Sequence, residues 1–190
     1  MNFFYKRIDL PNITEIIKEL SKEVPHGNIT QSKPFDYHSS KNKFPILVNY
    51  INSISKVPLN DKCAVKIFVT ASKNKGLIHS DYDSTSRIGL NIPISGCKST
   101  EFIFYSTCKN NLKEILSDET KGYAKSFIPK NVNFLKIEER LELLYPYLIR
   151  TDIFHQSVNL TNYLRIIATV RWEPYRHLEN FDDFIIDEIL

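Results

Sequence analysis

Two stretches in the first sixty residues place apolar side chains at helical spacing. In residues 13–24 the apolar positions recur three or four residues apart and form one stripe: Ile13, Ile16, Ile17, Leu20 and Val24. Asn12 followed by Glu15 fits a capping box at the start of this helix. The second stretch shows the same spacing at Phe44, Leu47, Val48 and Ile51. Pro45 suits the first turn of this helix. The pattern predicts two helices that cover a sheet.

From residue 63 onward the period of the apolar positions changes to two. Residues 87–94, RIGLNIPI, alternate strictly, with one apolar face formed by Ile88, Leu90, Ile92 and Ile94. The other face carries Arg87, Gly89 and Asn91. Further strands are predicted at 65–70, 101–106, 145–154 and 163–172, the last two joined by a turn at 157–162. Several short strands with turn signals between them are typical of a sandwich or jelly roll.

The chain is therefore predicted to be one domain, 1–190, mainly β with flanking helices. Residues 1–60 form an N-terminal helical cover, and residues 61–172 form a jelly-roll core. An insertion around 107–144 decorates the core and is helical at 137–144, IEERLELL. The tail, 173–190, is predicted to end in a short amphipathic helix or an extended cover.

Composition limits the class of protein. Hydrophobic residues make up 42% of the chain and charged residues 25%, which is ordinary for a soluble globular domain. No apolar run is long enough to span a membrane, and early charges argue against a signal peptide. Three cysteines without C-x-x-C spacing favour reduced thiols in a cytoplasmic protein over a zinc ribbon. A net charge of +3 does not by itself indicate a nucleic-acid partner.

A candidate metal site begins at the sequence His79-Ser80-Asp81, just before the 87–94 strand. In an extended segment the imidazole and the carboxylate point to the same side. His155, at the end of a predicted strand, is the candidate third ligand. Two histidines and one carboxylate form the facial triad that leaves iron positions open for a co-substrate and O₂. Asp83 lies two residues further along the same alternation and is the alternative carboxylate.

Arg165 follows His155 by ten residues, across one turn. That spacing lets both side chains come from adjacent antiparallel strands and face one cavity. A guanidinium there can hold a carboxylate in a bidentate pair, which a lysine does less well. The alternatives are a structural salt bridge for Arg165, a hydrogen-bonded core histidine for His155 and a surface histidine for His79.

These motifs together are similar to the 2-oxoglutarate/Fe(II)-dependent oxygenase superfamily: H-x-D, a strand ending in NIPI, a T-E-F-x-F-Y strand, and a histidine followed ten residues later by arginine. Residues 76–105 resemble aspartyl/asparaginyl β-hydroxylase-like proteins and small phage-encoded members. The resemblance covers residues 65–172 and implies a double-stranded β-helix, a cupin-like barrel. It implies that His79, Asp81 and His155 hold Fe(II). It also implies that Arg165 and Arg87 bind 2-oxoglutarate.

The activity that this resemblance implies is that of a dioxygenase. It would use O₂ and 2-oxoglutarate to hydroxylate a C–H bond, with a protein or amino-acid side chain as the preferred substrate, and release succinate and CO₂. The expected partners are the co-substrate 2-oxoglutarate and a protein or peptide substrate. No membrane is expected, and a nucleic acid is not indicated. Asp81 departs from vertebrate aspartyl β-hydroxylases, which lack this ligand, and argues against a halogenase. The alternatives are a catalytically inactive jelly-roll binding module and a cupin-type metalloprotein of different chemistry.

Overall fold

A computed structural model describes residues 3–26, 30–60, 63–81, 87–108, 111–115, 126–172 and 180–184. Within these residues the helices are α1 (Ile13–Ser21), α2 (Tyr37–Lys43) and α3 (Pro45–Ile54). The strands in the first half are β1 (Tyr5–Arg7), β2 (Thr30–Asp36), β3 (Ala64–Thr70), β4 (Asn74–Lys75) and β5 (Ile88–Ser95). The remaining strands are β6 (Thr100–Ser106), β7 (Leu112–Ile115), β8 (Ser126–Pro129), β9 (Lys136–Leu141), β10 (Tyr147–Arg150), β11 (Phe154–Asn159) and β12 (Arg165–Arg171).

In the described part of the chain, two antiparallel sheets form the body of the protein. One has six strands in the order β1-β10-β5-β12-β3-β2, and the other has four in the order β4-β11-β6-β9. Phe102 and Phe104 of β6 pack in one core cluster with Tyr147 and Ile149 of β10, so the sheets face each other. The architecture is a double-stranded β-helix, mainly β with flanking helices, as the sequence predicts.

The alternation of β5 sorts its side chains between two layers. Ile88, Leu90 and Ile92 belong to the large core cluster that also contains the apolar stripes of α1 and α3. Gly89 and Asn91 lie on the opposite face, because successive strand side chains alternate. The predicted strand and its two faces are confirmed. The polar face of the six-stranded sheet is thereby directed at the four-stranded sheet.

The two predicted helices are confirmed as α1 and α3, with Pro45 at the start of α3. The predicted capping box is wrong: Asn12 has left-handed backbone (φ 59°), and its side chain makes no cap hydrogen bond. The other helix, α3, is capped by a carboxylate from a distant part of the chain. Buried Glu19 of α1 accepts hydrogen bonds from the backbone N–H groups of Ile46 (2.9 Å) and Leu47 (3.0 Å). This contact ties the two helices together.

Residues 1–60 contribute strands as well as helices. β1 and β2 are the two edge strands of the six-stranded sheet. β2 contains Pro34, opposite Lys66 of β3. A proline is tolerated there because an edge strand has one side that needs no ladder hydrogen bonds. The proposed helical cover is therefore helical only in part.

The predicted helix at 137–144 is wrong. Residues Lys136–Leu141 form β9, which pairs with β6 from Phe102 to Ser106. The segment is rich in good helix formers, but pairing with a central strand overrides that local preference. The rest of the insertion includes the β7–β8 hairpin, whose Phe127 packs with Leu135 on the outer face of the four-stranded sheet.

The predicted strand at 145–154 is two strands in different sheets. β10 ends at Arg150, β11 begins at Phe154, and the chain crosses between the sheets in the bend at 151–153. An ion pair between Arg150 and Asp152 (2.6 Å) closes this corner. The predicted turn at 157–162 starts later than expected, because β11 continues to Asn159.

The described part of the tail is a short 3₁₀ helix, Phe181–Asp183. Phe181 and Phe184 are buried in the large core cluster, so this part acts as a cover. The other tail residues lie outside the described part of the chain. Cys63 and Cys97 are buried free thiols and Cys108 is an exposed one. No helix in the described ranges is long and apolar enough to cross a membrane.

Candidate metal centre

The structure brings His79, Asp81 and His155 together. One nitrogen or oxygen atom of each lies within 4.8 Å of the others. Backbone pairing fixes this arrangement: His79 N–H donates to the carbonyl of His155 (3.1 Å), and Asp81 N–H donates to the carbonyl of Thr151 (2.8 Å). The ligand segment after β4 therefore lies alongside β11 and the corner that precedes it.

Both imidazoles are oriented by the same local contact. Nδ1 of His79 lies 2.9 Å from the carbonyl oxygen of Leu77, and Nδ1 of His155 lies 2.8 Å from that of Ile153. A carbonyl oxygen only accepts hydrogen bonds, so each Nδ1 carries the hydrogen when the ring is neutral. Each Nε2 then carries a lone pair that can bind a metal. In metal-bound histidines the other ring nitrogen usually donates an outer hydrogen bond in this way.

Neighbouring side chains and strands hold the cluster in place. The ring of Phe102 stacks on His155 with centroids 4.9 Å apart and planes 17° apart. Ser80, between the two ligands of the H-x-D motif, exchanges two backbone hydrogen bonds with Phe127 of β8, over 3.0 and 2.9 Å. The hairpin of the insertion therefore lies against the ligand segment.

Asp81 is buried and carries its charge. Burial opposes the charged form, but the Arg171 guanidinium and the His79 ring hold the pKa of Asp81 well below its usual range. Nη2 of Arg171 lies 2.9 Å from Oδ2 of Asp81, and Nε2 of His79 lies 3.4 Å from Oδ1. The carboxylate is thus an anionic donor at neutral pH.

The pKa values of the two histidines shift in opposite directions. Burial and the neighbouring His79 lower the pKa of His155 to about 3, so this ring stays neutral. Burial works against protonation of His79 too, but hydrogen bonding and attraction to Asp81 outweigh it and raise the pKa of His79. In the metal-free protein, Asp81 thus favours the protonated form of His79.

This donor set fits a divalent transition metal. Two imidazole nitrogens and one carboxylate oxygen are the ligands of the facial triad, which prefers Fe(II). Bonds of about 2.0–2.2 Å place ligands of one ion within about 4.4 Å of one another. The cluster is close to that spacing. The binding of iron itself stays a prediction.

Arg165 lies at the start of β12 and is almost completely buried, with 1% of its surface exposed. Its Nη1 donates to Oγ of Ser157 (3.0 Å), which is two residues beyond His155 on the same face of β11. Nε and Nη2 are buried and have no hydrogen-bond partner among the described residues. No carboxylate there forms an ion pair with it either, so the structural salt-bridge alternative finds no support.

Two sequence predictions are not decided by the structure. Arg87 is half-buried directly before β5, and its carbonyl accepts a hydrogen bond from Thr151 N–H (2.8 Å). Its contact with a co-substrate stays a prediction. Asp83, the alternative carboxylate, lies outside the described residues.

The sequence interpretation missed Arg171, the ion-pair partner of Asp81. A signal for it was present: Arg171 follows Arg165 by six residues, so the two share a face of β12 by strand alternation. Gly89 lies opposite Arg171 in the sheet register. A Cβ atom on Gly89 would lie 3.0 Å from Nη1 of Arg171, so the glycine leaves space for the guanidinium.

Comparisons with known proteins agree with this architecture. No family model matches the chain, and no curated protein matches it. The chain is similar to the non-haem alpha-ketoglutarate-dependent carbocyclase SnoK from nogalamycin biosynthesis, at 9% identity and a TM-score of 0.52, covering 88% of this chain and 78% of that one. It is also similar to an oxalate decarboxylase from Bacillus subtilis, at 11% identity and a TM-score of 0.38, over 81% of this chain. An oxalate oxidase gives 10% identity and a TM-score of 0.39, over 84% of this chain and 57% of that one.

The likeness to the carbocyclase concerns the fold alone. The chain spans 28% of the oxalate decarboxylase chain. This chain has a double-stranded β-helix, with a His-Asp-His cluster between its sheets that could hold a metal ion.

Proposed function

We propose that this protein is an Fe(II)- and 2-oxoglutarate-dependent dioxygenase that hydroxylates a substrate C–H bond and releases succinate and CO₂. One observation carries the proposal: a facial-triad cluster and a buried arginine meet the same face of β11, at His155 and Ser157, and the arginine has no anionic partner in the described residues. A buried charge without a partner is costly, by several kcal/mol. An anionic ligand held next to the metal would remove that cost.

His79, Asp81 and His155 would hold the iron. Bound iron would supply the activation of O₂ that is coupled to oxidation of 2-oxoglutarate. The chain itself supplies position and charge. Asp81 provides one negative charge, and the carbonyls of Leu77 and Ile153 keep both imidazoles turned with Nε2 toward the cluster.

Arg165 would hold the far carboxylate of 2-oxoglutarate. Its unpartnered Nε and Nη2 lie on one edge of the guanidinium, which is the geometry for a bidentate pair with a carboxylate. Ser157, already bonded to Nη1, fixes the orientation of the fork. Arg87 is proposed as a second contact of the co-substrate.

The interior of the barrel beside the cluster is apolar. Phe102, Phe104 and Ile149 are buried between the sheets and form an apolar wall beside the ligands. A low-dielectric surrounding strengthens the pairing between Arg165 and a carboxylate. It also protects reactive species from side reactions.

Two further observations support the proposal at a coarser level. The fold is shared with a carbocyclase described as alpha-ketoglutarate-dependent, alpha-ketoglutarate being another name for 2-oxoglutarate. The 76–105 segment resembles β-hydroxylase-like proteins, and on that basis we propose a protein or amino-acid side chain as the primary substrate.

The test is Fe(II)-dependent conversion of 2-oxoglutarate to succinate by the purified protein. Uncoupled turnover without a primary substrate is expected, and it should be lost in His155→Gln. Arg140→Met, which removes an exposed ion pair with Glu101, is the control and should keep the wild-type rate. If the iron-loaded protein neither converts nor binds 2-oxoglutarate, the proposal fails. Binding of another small acid would then favour the cupin-type alternative.

A further inference from the structure

Asp81 presents its two carboxylate oxygens to different partners. Oδ2 lies 2.9 Å from Nη2 of Arg171, on the side of the six-stranded sheet. Oδ1 lies 3.4 Å from Nε2 of His79, on the side of the cluster. The carboxylate and the guanidinium are both about nine-tenths buried, so water screens this pair only weakly.

We propose that Arg171 is a positioning residue of the metal centre, which holds Oδ2 of Asp81 and leaves Oδ1 alone to bind the metal. The inference rests on the proposed role of Asp81 as a metal ligand. Arg171 itself touches no other member of the cluster in the described contacts. It acts on the metal through the carboxylate.

The sheet holds the guanidinium in place. Arg171 and Gly89 are direct partners in the register of β12 and β5. A Cβ atom on Gly89 would lie 3.0 Å from Nη1, 3.2 Å from Cζ and 3.3 Å from Cδ of Arg171. The side chain therefore lies flat across the glycine, and no larger residue at position 89 would leave it there.

The consequence for the metal is the number of positions that stay open. A carboxylate with both oxygens free can bind a metal through one or both of them. A second oxygen on the metal would occupy a position that the co-substrate and O₂ need. By binding Oδ2, Arg171 keeps that position open.

The charge of Arg171 and its orientation of Asp81 affect metal binding in opposite directions. The positive charge of Arg171 repels a nearby cation, so its simple removal could strengthen metal binding while the carboxylate loses its orientation. Variants that keep the charge separate the two effects. Arg171→Lys keeps the charge but loses the planar fork. Gly89→Ala keeps the arginine but displaces the guanidinium by a few tenths of an ångström, since the flexible end of the side chain must move.

The experiment is a Mn(II) titration of the metal-free full chain, read by electron paramagnetic resonance for affinity and by water-proton relaxation for metal-bound water. Mn(II) stands in for Fe(II) and does not depend on turnover. Both variants should bind Mn(II) about 10–100-fold more weakly, the usual effect of losing an outer partner of a metal ligand. Arg171→Lys should also hold one metal-bound water fewer. Arg140→Lys is the control, because it replaces a planar guanidinium by an ammonium outside the metal centre. It should match the wild type.

The outcomes separate the two proposals. If the wild type binds Mn(II) but both variants bind it equally well or more tightly, the positioning role is wrong and the metal site stands. Unchanged hydration of the bound Mn(II) in Arg171→Lys also overturns the inference. If the wild type binds no metal, the proposed function and the inference fail together. Circular dichroism of the metal-free variants checks that the fold is retained.

Discussion

His79 and His155 exchange two backbone hydrogen bonds, with His79 N–H donating over 3.1 Å and His155 N–H donating over 2.8 Å. Their ring centroids lie 4.5 Å apart. The backbone therefore sets the separation of the two rings before a metal binds. Replacing one ring should remove a ligand without removing the pairing that builds the site.

His79→Ala is expected to reduce metal affinity by about 100-fold or more, because losing a direct ligand should cost at least as much as losing an outer partner. The fold should be retained, since the His79 side chain is partly exposed and the variant keeps the backbone hydrogen bonds of this position. Isothermal titration with Co(II) measures the first effect and circular dichroism the second. Asp83→Ala tests the alternative ligand. If it abolishes Co(II) binding and Asp81→Ala does not, the carboxylate assignment is wrong.

Asp81→Ala should be costly for the fold as well as for the metal. It leaves Arg171 buried without its carboxylate, and breaking a buried pair in this way costs about 3–5 kcal/mol. The double variant Asp81→Ala/Arg171→Met should recover most of that loss, because it removes both charges. Urea unfolding of the metal-free proteins gives the comparison. Equal stabilities of the single and double variants would show that the unpaired Arg171 charge has no cost for folding.

Stability of the metal-free protein should fall on acidification because of His155. Its pKa is lowered to about 3 in the folded state, against an ordinary value of about 6.5 in the unfolded chain. Below pH 6.5 the unfolded chain takes up a proton that the folded protein excludes, so stability decreases as the pH falls toward 3. The slope is at most about 1.4 kcal/mol per pH unit.

His79 does not cancel this slope. Its pKa is raised, so its contribution to stability is complete below 6.5 and is lost only as the pH rises through the raised value. Urea unfolding between pH 4 and 6.5, with a chelator present, should show a steeper decline for the wild type than for His155→Gln. Parallel declines would mean that His155 is protonated as easily in the folded protein as in the unfolded chain.

The sequence predicted those parts of the site that follow from local alternation. Period two placed His79 and Asp81 on one side. The ten-residue spacing correctly associated Arg165 with the strand of His155, because Arg165 contacts Ser157. The prediction that the two strands are adjacent is wrong, because β11 and β12 belong to different sheets. The same alternation along β12 would have added Arg171. What alternation could not supply is the ion pair itself, because Asp81 and Arg171 are ninety residues apart and meet only through the sheet register.

The fold was predicted least well where pairing between distant segments decides the structure. Residues 136–141 have a helical composition and become a strand only because β6 offers them an open edge. The break between β10 and β11 depends on which sheet each half joins. Glu19 caps a helix that starts 26 residues later, which no short motif encodes.

Gly96 is expected to be essential for the turn between β5 and β6, which packs against the backbone of Leu164 and Arg165. It has φ +64°, and a Cβ atom would lie 1.8 Å from the carbonyl oxygen of Leu164. Gly96→Ala therefore combines a left-handed backbone, at about 1–2 kcal/mol, with a backbone clash. Urea unfolding should show a loss above 2 kcal/mol, on the order of the strain of such sites. Gly76→Ala, with a nearest contact of 3.3 Å, is the milder control, and equal losses would contradict the role of the turn.

Arg165→Met should stabilise the free protein and yet weaken its binding of 2-oxoglutarate. Arg165 is buried, and its Nε and Nη2 groups have no partner in the described residues. Its charge therefore destabilises the free protein. Methionine fills a similar volume without charge, and replacing buried charged groups by apolar ones is often stabilising by about 1–4 kcal/mol. The free variant should therefore unfold at higher urea concentration than the wild type.

Arg165→Met should also lower the affinity for 2-oxoglutarate. Losing one partner of a buried charged pair costs about 3–5 kcal/mol, which is on the order of 10²–10³ in affinity. Metal affinity should change little, because Arg165 contacts Ser157 and none of the three ligands. Arg165→Lys should recover only part of the binding, since an ammonium keeps the charge but loses the fork. Equilibrium titration of 2-oxoglutarate against the Mn(II)-loaded variants measures this directly. Wild-type affinity for 2-oxoglutarate in Arg165→Met would remove the observation on which the proposed function depends.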